Sequence, residues 1–180
     1  IDDEAAATRM TEYLIDHGHK RIGFVIGAKD QMSSHRRHSG FMKAMQAHGL
    51  EVDPALVKQG KFTYRSGMEA ADAMLALDDL PTAIFASNDD MAAGVIASAF
   101  RHGKRVPEDI SVVGYDDTPI ASAIWPQLTT VRQPIAEMGY QSVDLLANFI
   151  ADDEETGSAQ RHAVLDVSII ERDSVRPLNS

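Results

Sequence analysis

The sequence predicts an α/β fold: an open parallel sheet with helices on both faces. Three observations carry this. Short apolar runs rich in β-branched and aromatic residues, KRIGFVI at 20–26, TAIFA at 82–86 and ISVVGY at 110–115, show no polar alternation, as strands covered on both faces require. Segments with apolar residues at helical spacing separate these runs, the order of parallel β-α-β units. With 180 residues, 44% of them hydrophobic and 24% charged, the chain has an ordinary globular composition and should bury roughly 70% of its unfolded surface in one compact domain.

The first helix spans Asp3 to His17, where Met10, Tyr13, Leu14 and His17 recur at helical spacing and Gly18 follows as a C-terminal cap. Lys20 to Ile26 is a buried strand, too short for a buried helix. Ser34 to His48 places Arg37, Phe41, Ala44, Met45 and His48 on one helical face before Gly49. The segment Val57 to Gln59 leads to a glycine-bounded loop with Phe62, and Tyr64 to Leu77 is helical with Met68, Ala71 and Leu75 on a face. Pro81 precedes strand 82–86, and Asn88 or Asp89 suits the N-cap of a helix running to His102. After strand 110–115 come a loop with Trp125 and Pro126, a strand Thr129 to Gln133 and a helix from Pro134 to Ile150. Asp152 to Gln160 reads as a linker, His162 to Glu171 as a final strand, and Asp173 to Ser180 as a frayed tail.

Charge and motifs exclude several function classes. With 17 basic against 27 acidic side chains, the net charge of −10 leaves no cationic face for phosphates, so this stretch is not expected to grip nucleic acid. No cysteine is present, which removes disulfides, thiolate metal sites and a cysteine nucleophile and leans towards a reducing compartment. No apolar run reaches the ~18 residues of a membrane span, and no signal-peptide pattern opens the chain. Because the chain opens on Ile1 rather than Met, we expect that its function needs residues outside it. The turn after Ile26 reads Gly27-Ala28-Lys29-Asp30, neither a dinucleotide fingerprint nor a P-loop, and no GxSxG elbow presents a serine. His17 with His19 and His35 with His38 lack the third ligand of a closed metal site, so no metal, cofactor or catalytic residue is assigned.

What remains is a set of polar groups at one edge. Asp116 and Asp117 follow a buried strand at its carboxyl end, where open α/β sheets bind ligands. Asp117-Thr118-Pro119 also suits a plain turn. Asn88 follows its own strand in the same way and doubles as a helix N-cap; Arg37, near the start of a helix, points roughly to the same edge unless it is solvated. With Phe62 these groups would suit a sugar, whose hydroxyls bridge carboxylate, amide and guanidinium while an aromatic face covers its ring. From Met91 to Phe100 only Ser98 is polar. A helix apolar nearly all round is covered either by a second copy of the chain or by its own neighbours.

The blocks GHKRIGF (18–24), RHSGF (37–41), FTYRSG (62–67), PTAIFASNDDM (81–91), VPEDISVVGYDDT (106–118) and PQLTTVRQ (126–133) together resemble the effector-binding core of the lactose-repressor/galactose-repressor family of bacterial transcription regulators. They occur in family order, nearly end to end. The resemblance implies a type I periplasmic-binding-protein-like subdomain, the C-terminal of two, with the helix-turn-helix headpiece and most of the N-terminal subdomain outside this chain. Residues 134–161 would then be an excursion packing on that absent subdomain, through an apolar stripe of Ile135, Met138, Leu145, Leu146 and Phe149. Carried over residue by residue, it implies that Arg37, Asn88 and Asp116 hydrogen-bond a small-molecule effector, that Phe62 stacks on it, and that Gln133 lies near the cleft. Ser33 is a weaker candidate, and Ala6 stands where many members have glycine. Homodimer contacts would involve Met91, Val95, Ile96, Ala99, Ile124 and Trp125. The implied protein is a cytoplasmic, allosteric regulator that meets operator DNA only through its headpiece, with a sugar effector preferred to a purine. The alternatives are a periplasmic sugar-binding protein and, from another class, an α/β enzyme using Asp116 or Asp117.

Overall fold

The computed structural model describes residues 1–151 and 163–178. Helix α1 (Asp3–Asp16) is capped by Asp2, whose carboxylate accepts from the Ala5 N–H at 3.0 Å, and its first turn carries Asp3 and Glu4 where the helix dipole favours acids. Ala6 is buried within that regular turn. Then follow β1 (Ile22–Ile26), α2 (Met32–Ala47), a single 3-10 turn (Pro54–Leu56), β2 (Val57–Gln59), α3 (Tyr64–Leu75) and β3 (Ala83–Ala86). The second half comprises α4 (Asp89–Arg101), β4 (Ser111–Asp116), α5 (Pro119–Ala123), β5 (Thr129–Arg132), α6 (Ile135–Ala151) and β6 (Ser168–Ile170).

The six strands form one sheet in the order β2-β1-β3-β4-β5-β6. Strands β1 to β5 run parallel, and β6 pairs antiparallel with β5, Val131 opposite Ile169, so the sheet is mostly rather than wholly parallel. Helices α1 and α2 cover one face, packing Met10, Leu14, Phe41 and Met45 on Phe24 and Phe85. Helices α3 and α4 cover the other, packing Ala71, Met74 and Val95 on Val25, Ile84 and Val112. Each of the larger of these side chains, fully withdrawn from water, contributes about 1.5–3 kcal/mol. Two glycines let α3 and α4 approach closely: a Cβ on Gly67 would collide with the Met91 carbonyl, and one on Gly94 with that of Tyr64.

Helix α4 corrects the expected dimer surface. Met91, Val95 and Ala99 are each 0% exposed within the chain's own core, because α4 packs on β3 and β4 and against α3 and α5. Their side chains are enclosed by this chain's own elements. Ile96 is almost buried and Ile124 half-buried, whereas Phe100 and Trp125 are each 83% exposed.

The C-terminal tail is also not frayed. Ser174 is wholly buried; its carbonyl accepts from the Val112 N–H at 2.9 Å and its hydroxyl from the Thr129 N–H at 2.8 Å. Further on, the Leu178 N–H donates to His17 O at 2.8 Å. The segment thus joins the beginnings of β4 and β5 with hydrogen bonds that a sequence pattern does not show. Along α6, Ile135 and Leu146 of the expected apolar stripe are exposed and Met138 and Leu145 half-buried. The expected linker at 152–160, His162 and residues 179–180 lie outside the described residues, as does the side chain of Phe149.

Candidate binding site

Neighbouring strands deliver one candidate each to the same edge. Strand β2 leads to Phe62, β1 leads through Gly27 to α2 and Arg37, β3 to Ser87 and Asn88, β4 ends on Asp116, and β5 runs to Gln133. The chain steps from β1 to β2 on one side and then returns past β1 to place β3 on the other, so the strand order reverses between β1 and β3. Open sheets leave a crevice outside the carboxyl ends at such a point.

Arg37 is the hub. Only 6% exposed, it donates from Nε to Asp3 Oδ1 at 2.8 Å and from Nη1 to the Ser87 carbonyl at 2.6 Å, and Nη1 reaches Asp116 Oδ1 at 3.4 Å. Its Cζ stands 3.6 Å from the centre of the Tyr115 ring and 6.0 Å from that of Phe62, within cation–π range. The solvated reading of this residue therefore falls. Nη2 has no hydrogen-bond partner among the described residues, which leaves part of the fork to donate.

Asp116 accepts from Gln133 Nε2 at 2.6 Å, again through Oδ1. Among the described residues Oδ2 has no partner, so the carboxylate keeps acceptor capacity for a ligand. Burial pushes its carboxyl above the ordinary value, opposed by the Arg37 charge and the Gln133 hydrogen bond, with Asp3 and Asp90 adding to the rise. The adjacent Asp117 behaves differently. Arg132 Nε donates to it at 2.5 Å and Arg172 Nη2 at 2.6 Å. Burial opposes its ionisation, but these bonds outweigh that and hold the carboxyl below its usual value. Of the pair, Asp117 is a strut and Asp116 is open to the cleft.

Asn88 serves both of its readings. Oδ1 accepts from the Met91 N–H at 3.0 Å and caps α4, while Nδ2 donates to the Phe62 carbonyl at 3.3 Å, tying the loop after β2 to the end of β3. Phe62 has φ 59°, and its half-buried ring lies where a Cβ on Gly27 would collide with it. Beside it the Ser34 hydroxyl is buried with no hydrogen-bond partner among the described residues. Ser33, half-buried in the first turn of α2, makes none of the side-chain hydrogen bonds that join the other five. An open cleft of about 550 Å³ adjoins the site, lined among others by Asp116, Gln133, Ile135 and Tyr140.

Sequence reasoning missed Asp3, Tyr115 and Asp89. Tyr115 was legible in principle, since it immediately precedes Asp116 on a strand and must point to the opposite face. Asp3 bonds a residue 34 positions away, and no local signal marks that. Three of the four histidines considered for a metal are engaged in the fold: His17 with Tyr13 O, His19 with Thr82 Oγ1 and Arg176 O, and His35 with Lys29 O. No group of three His, Asp or Glu suited to a metal occurs among the described residues.

A sheet of this winding, with a charged and aromatic crevice at its carboxyl edge, defines a ligand-binding α/β core. The chain belongs to the periplasmic binding protein-like domain family, whose model matches residues 11–175, and within it to the lactose-repressor/galactose-repressor type of regulators. The HTH-type transcriptional repressor PurR of Pasteurella multocida is 43% identical over 145 residues, 81% of this chain and 43% of that protein. A sugar-binding transcriptional regulator of Escherichia coli, solved with phosphate, superposes with a TM-score of 0.88 at 31% identity, covering 99% of this chain and 63% of the other. A CelR regulator in complex with cellobiose gives a TM-score of 0.88 at 35% identity, covering 97% and 52%. These relatives are transcriptional regulators rather than enzymes. The chain spans about half the length of the curated relatives it matches.

Proposed function

We propose that this chain forms the effector-binding and dimerisation part of a cytoplasmic transcriptional regulator, and that a sugar is the effector. The observation that carries the reading is the Arg37–Asp116 pair, which keeps Nη2 as a donor and Oδ2 as an acceptor at the crevice beside Phe62 and Asn88. That combination binds vicinal hydroxyls well. The cellobiose complex of a regulator at 35% identity supports the same chemistry. Ser33 and Gln133 complete the set of contacts. A purine is the second reading, favoured by the 43% identity to a repressor named PurR and by the fit of an aromatic ring beside a guanidinium and a carboxylate.

Effector binding shifts the balance between orientations of this subdomain and the N-terminal one, onto which α6 and the rest of 134–161 pack, and so alters operator binding by a headpiece beyond this chain. No helix among the described residues is long and apolar enough to cross a membrane. A homodimer forms through the surface around Phe100, Trp125, Ile96 and Ile124, where an apolar hollow of about 520 Å³ also involves Tyr64. The test is a thermal-shift screen of the full-length regulator against pentoses, hexoses, disaccharides, nucleosides and purine bases. A rise in Tm with a carbohydrate is expected; a rise only with purines would select the second reading.

A further inference from the structure

The carboxylate of Asp89 is unused by the binding reading, yet it is wholly buried at the start of α4 with Asn88 already serving as the cap. Oδ2 accepts from the Thr118 backbone N–H at 2.7 Å and from the Thr118 hydroxyl at 3.1 Å, and Oδ1 accepts from the Thr130 hydroxyl at 2.5 Å. One side chain therefore joins the start of α4, the residue two beyond Asp116, and β5. Gly114 makes room for it, since a Cβ there would collide with Oδ1.

The turn it grips is conformationally costly. Asp116 has φ 111° and Asp117 φ 55°, a region that residues with a Cβ enter rarely and keep only where their surroundings over-determine it. Arg132 and Arg172 hold the turn through Asp117, and Asp89 holds it through Thr118. Between these two grips Asp116 is delivered to Arg37 and Gln133.

We propose that Asp89 is a positioning residue that, through Thr118, sets the turn presenting Asp116 to the cleft; its functional meaning rests on the reading of Asp116 as the effector carboxylate. The residue type fits because every partner is a donor and both carboxylate oxygens accept. An amide substitutes in large part: its oxygen accepts from Thr118, and its NH2 turns to the Thr130 hydroxyl, which also accepts.

The test uses the full chain without any sugar, reading hydrogen exchange at the Thr118 amide and the titration of the Asp116 carboxyl by 13C NMR. In Asp89→Ala, Thr118 should exchange at least tenfold faster and Asp116 should titrate nearer the ordinary carboxyl range, while amides of β1 and β3 keep their protection. Asp89→Asn should restore both readouts to within about threefold of wild type. If Asp89→Ala does not fold, Asp89→Ser, whose hydroxyl is too short to reach Thr118, supplies the same two readouts. Unchanged Thr118 exchange and an unchanged Asp116 titration in either variant would overturn the proposal. A wrong effector class leaves this result untouched, and a failed sugar screen with a loosened turn would count against the functional reading alone.

Discussion

The Arg37 guanidinium carbon lies 3.6 Å from the centre of the Tyr115 ring, so the residue before Asp116 on β4 is the platform for the cation that pairs with the Asp116 carboxylate. Stacking needs the planar guanidinium, and the bonds to Asp3, Ser87 and Asp116 need its fork. Arg37→Lys keeps the charge and loses both. Effector affinity should fall at least tenfold, about 1.4 kcal/mol, in calorimetry with whichever carbohydrate raises the Tm most in the screen. Equal affinity would remove Arg37 from the site.

The dimer surface is tested by two kinds of variant. Phe100→Asp and Trp125→Asp alter exposed side chains, so each should keep the wild-type circular dichroism and give monomers by light scattering. Val95→Asp places a carboxylate in the core and should unfold the chain instead, since an unpaired buried charge is among the costliest substitutions. Dimers that persist in both surface variants would place the interface elsewhere.

Much of this was readable from the sequence because strands covered on both faces must be continuous apolar runs, and β1, β3 and β4 are. The edge carrying Asn88 and Asp116 followed from strand ends, whereas Arg37, on a helix, read equally as a solvated side chain until the resemblance placed it there. Helix α4 was not readable to the same depth: an apolar pattern all round says that every face is covered, and it cannot say whether α3 and α5 or a second chain covers it. Asp3, Asp89 and the Ser174 tail escaped for a related reason, since a polar residue's burial is decided by partners 34, 29 and 62 positions away.

Two buried groups give the chain opposing pH dependences. Burial lowers the His19 pKa from 6.5 to about 4, so between these values the unfolded chain binds the extra proton and stability falls as pH drops. Burial raises the Asp89 pKa from 3.8 to about 6, so across that window the folded chain holds the proton and stability falls as pH rises. Asp89→Asn should unmask the His19 slope, with the urea midpoint rising steadily from pH 4 to 6.5; His19→Gln should give the opposite slope between pH 4 and 6. Identical profiles for the two variants would contradict both assignments.

Glycine substitutions separate the fold from the site. Gly94→Ala drives a methyl into the Tyr64 carbonyl and should cost about 1–3 kcal/mol of stability in urea denaturation, as overpacking does. Gly27→Ala meets the Phe62 ring instead. It should lower effector affinity more than tenfold for a smaller loss of stability, because a partly buried ring has room to swing where backbone does not. Equal stability losses with unchanged affinity would show that Phe62 does not line the effector's place.

The Asp116 carboxylate is proposed to bind the effector. Asp116→Asn tests it most directly, because asparagine keeps the shape and tolerates the φ of 111° that would strain alanine, while removing the charge. Calorimetric titration of the full-length regulator with its most stabilising carbohydrate should show at least tenfold weaker binding than wild type, with the Tm in the absence of sugar close to that of wild type. Binding of that carbohydrate at wild-type affinity would leave Asp116 as a turn residue only.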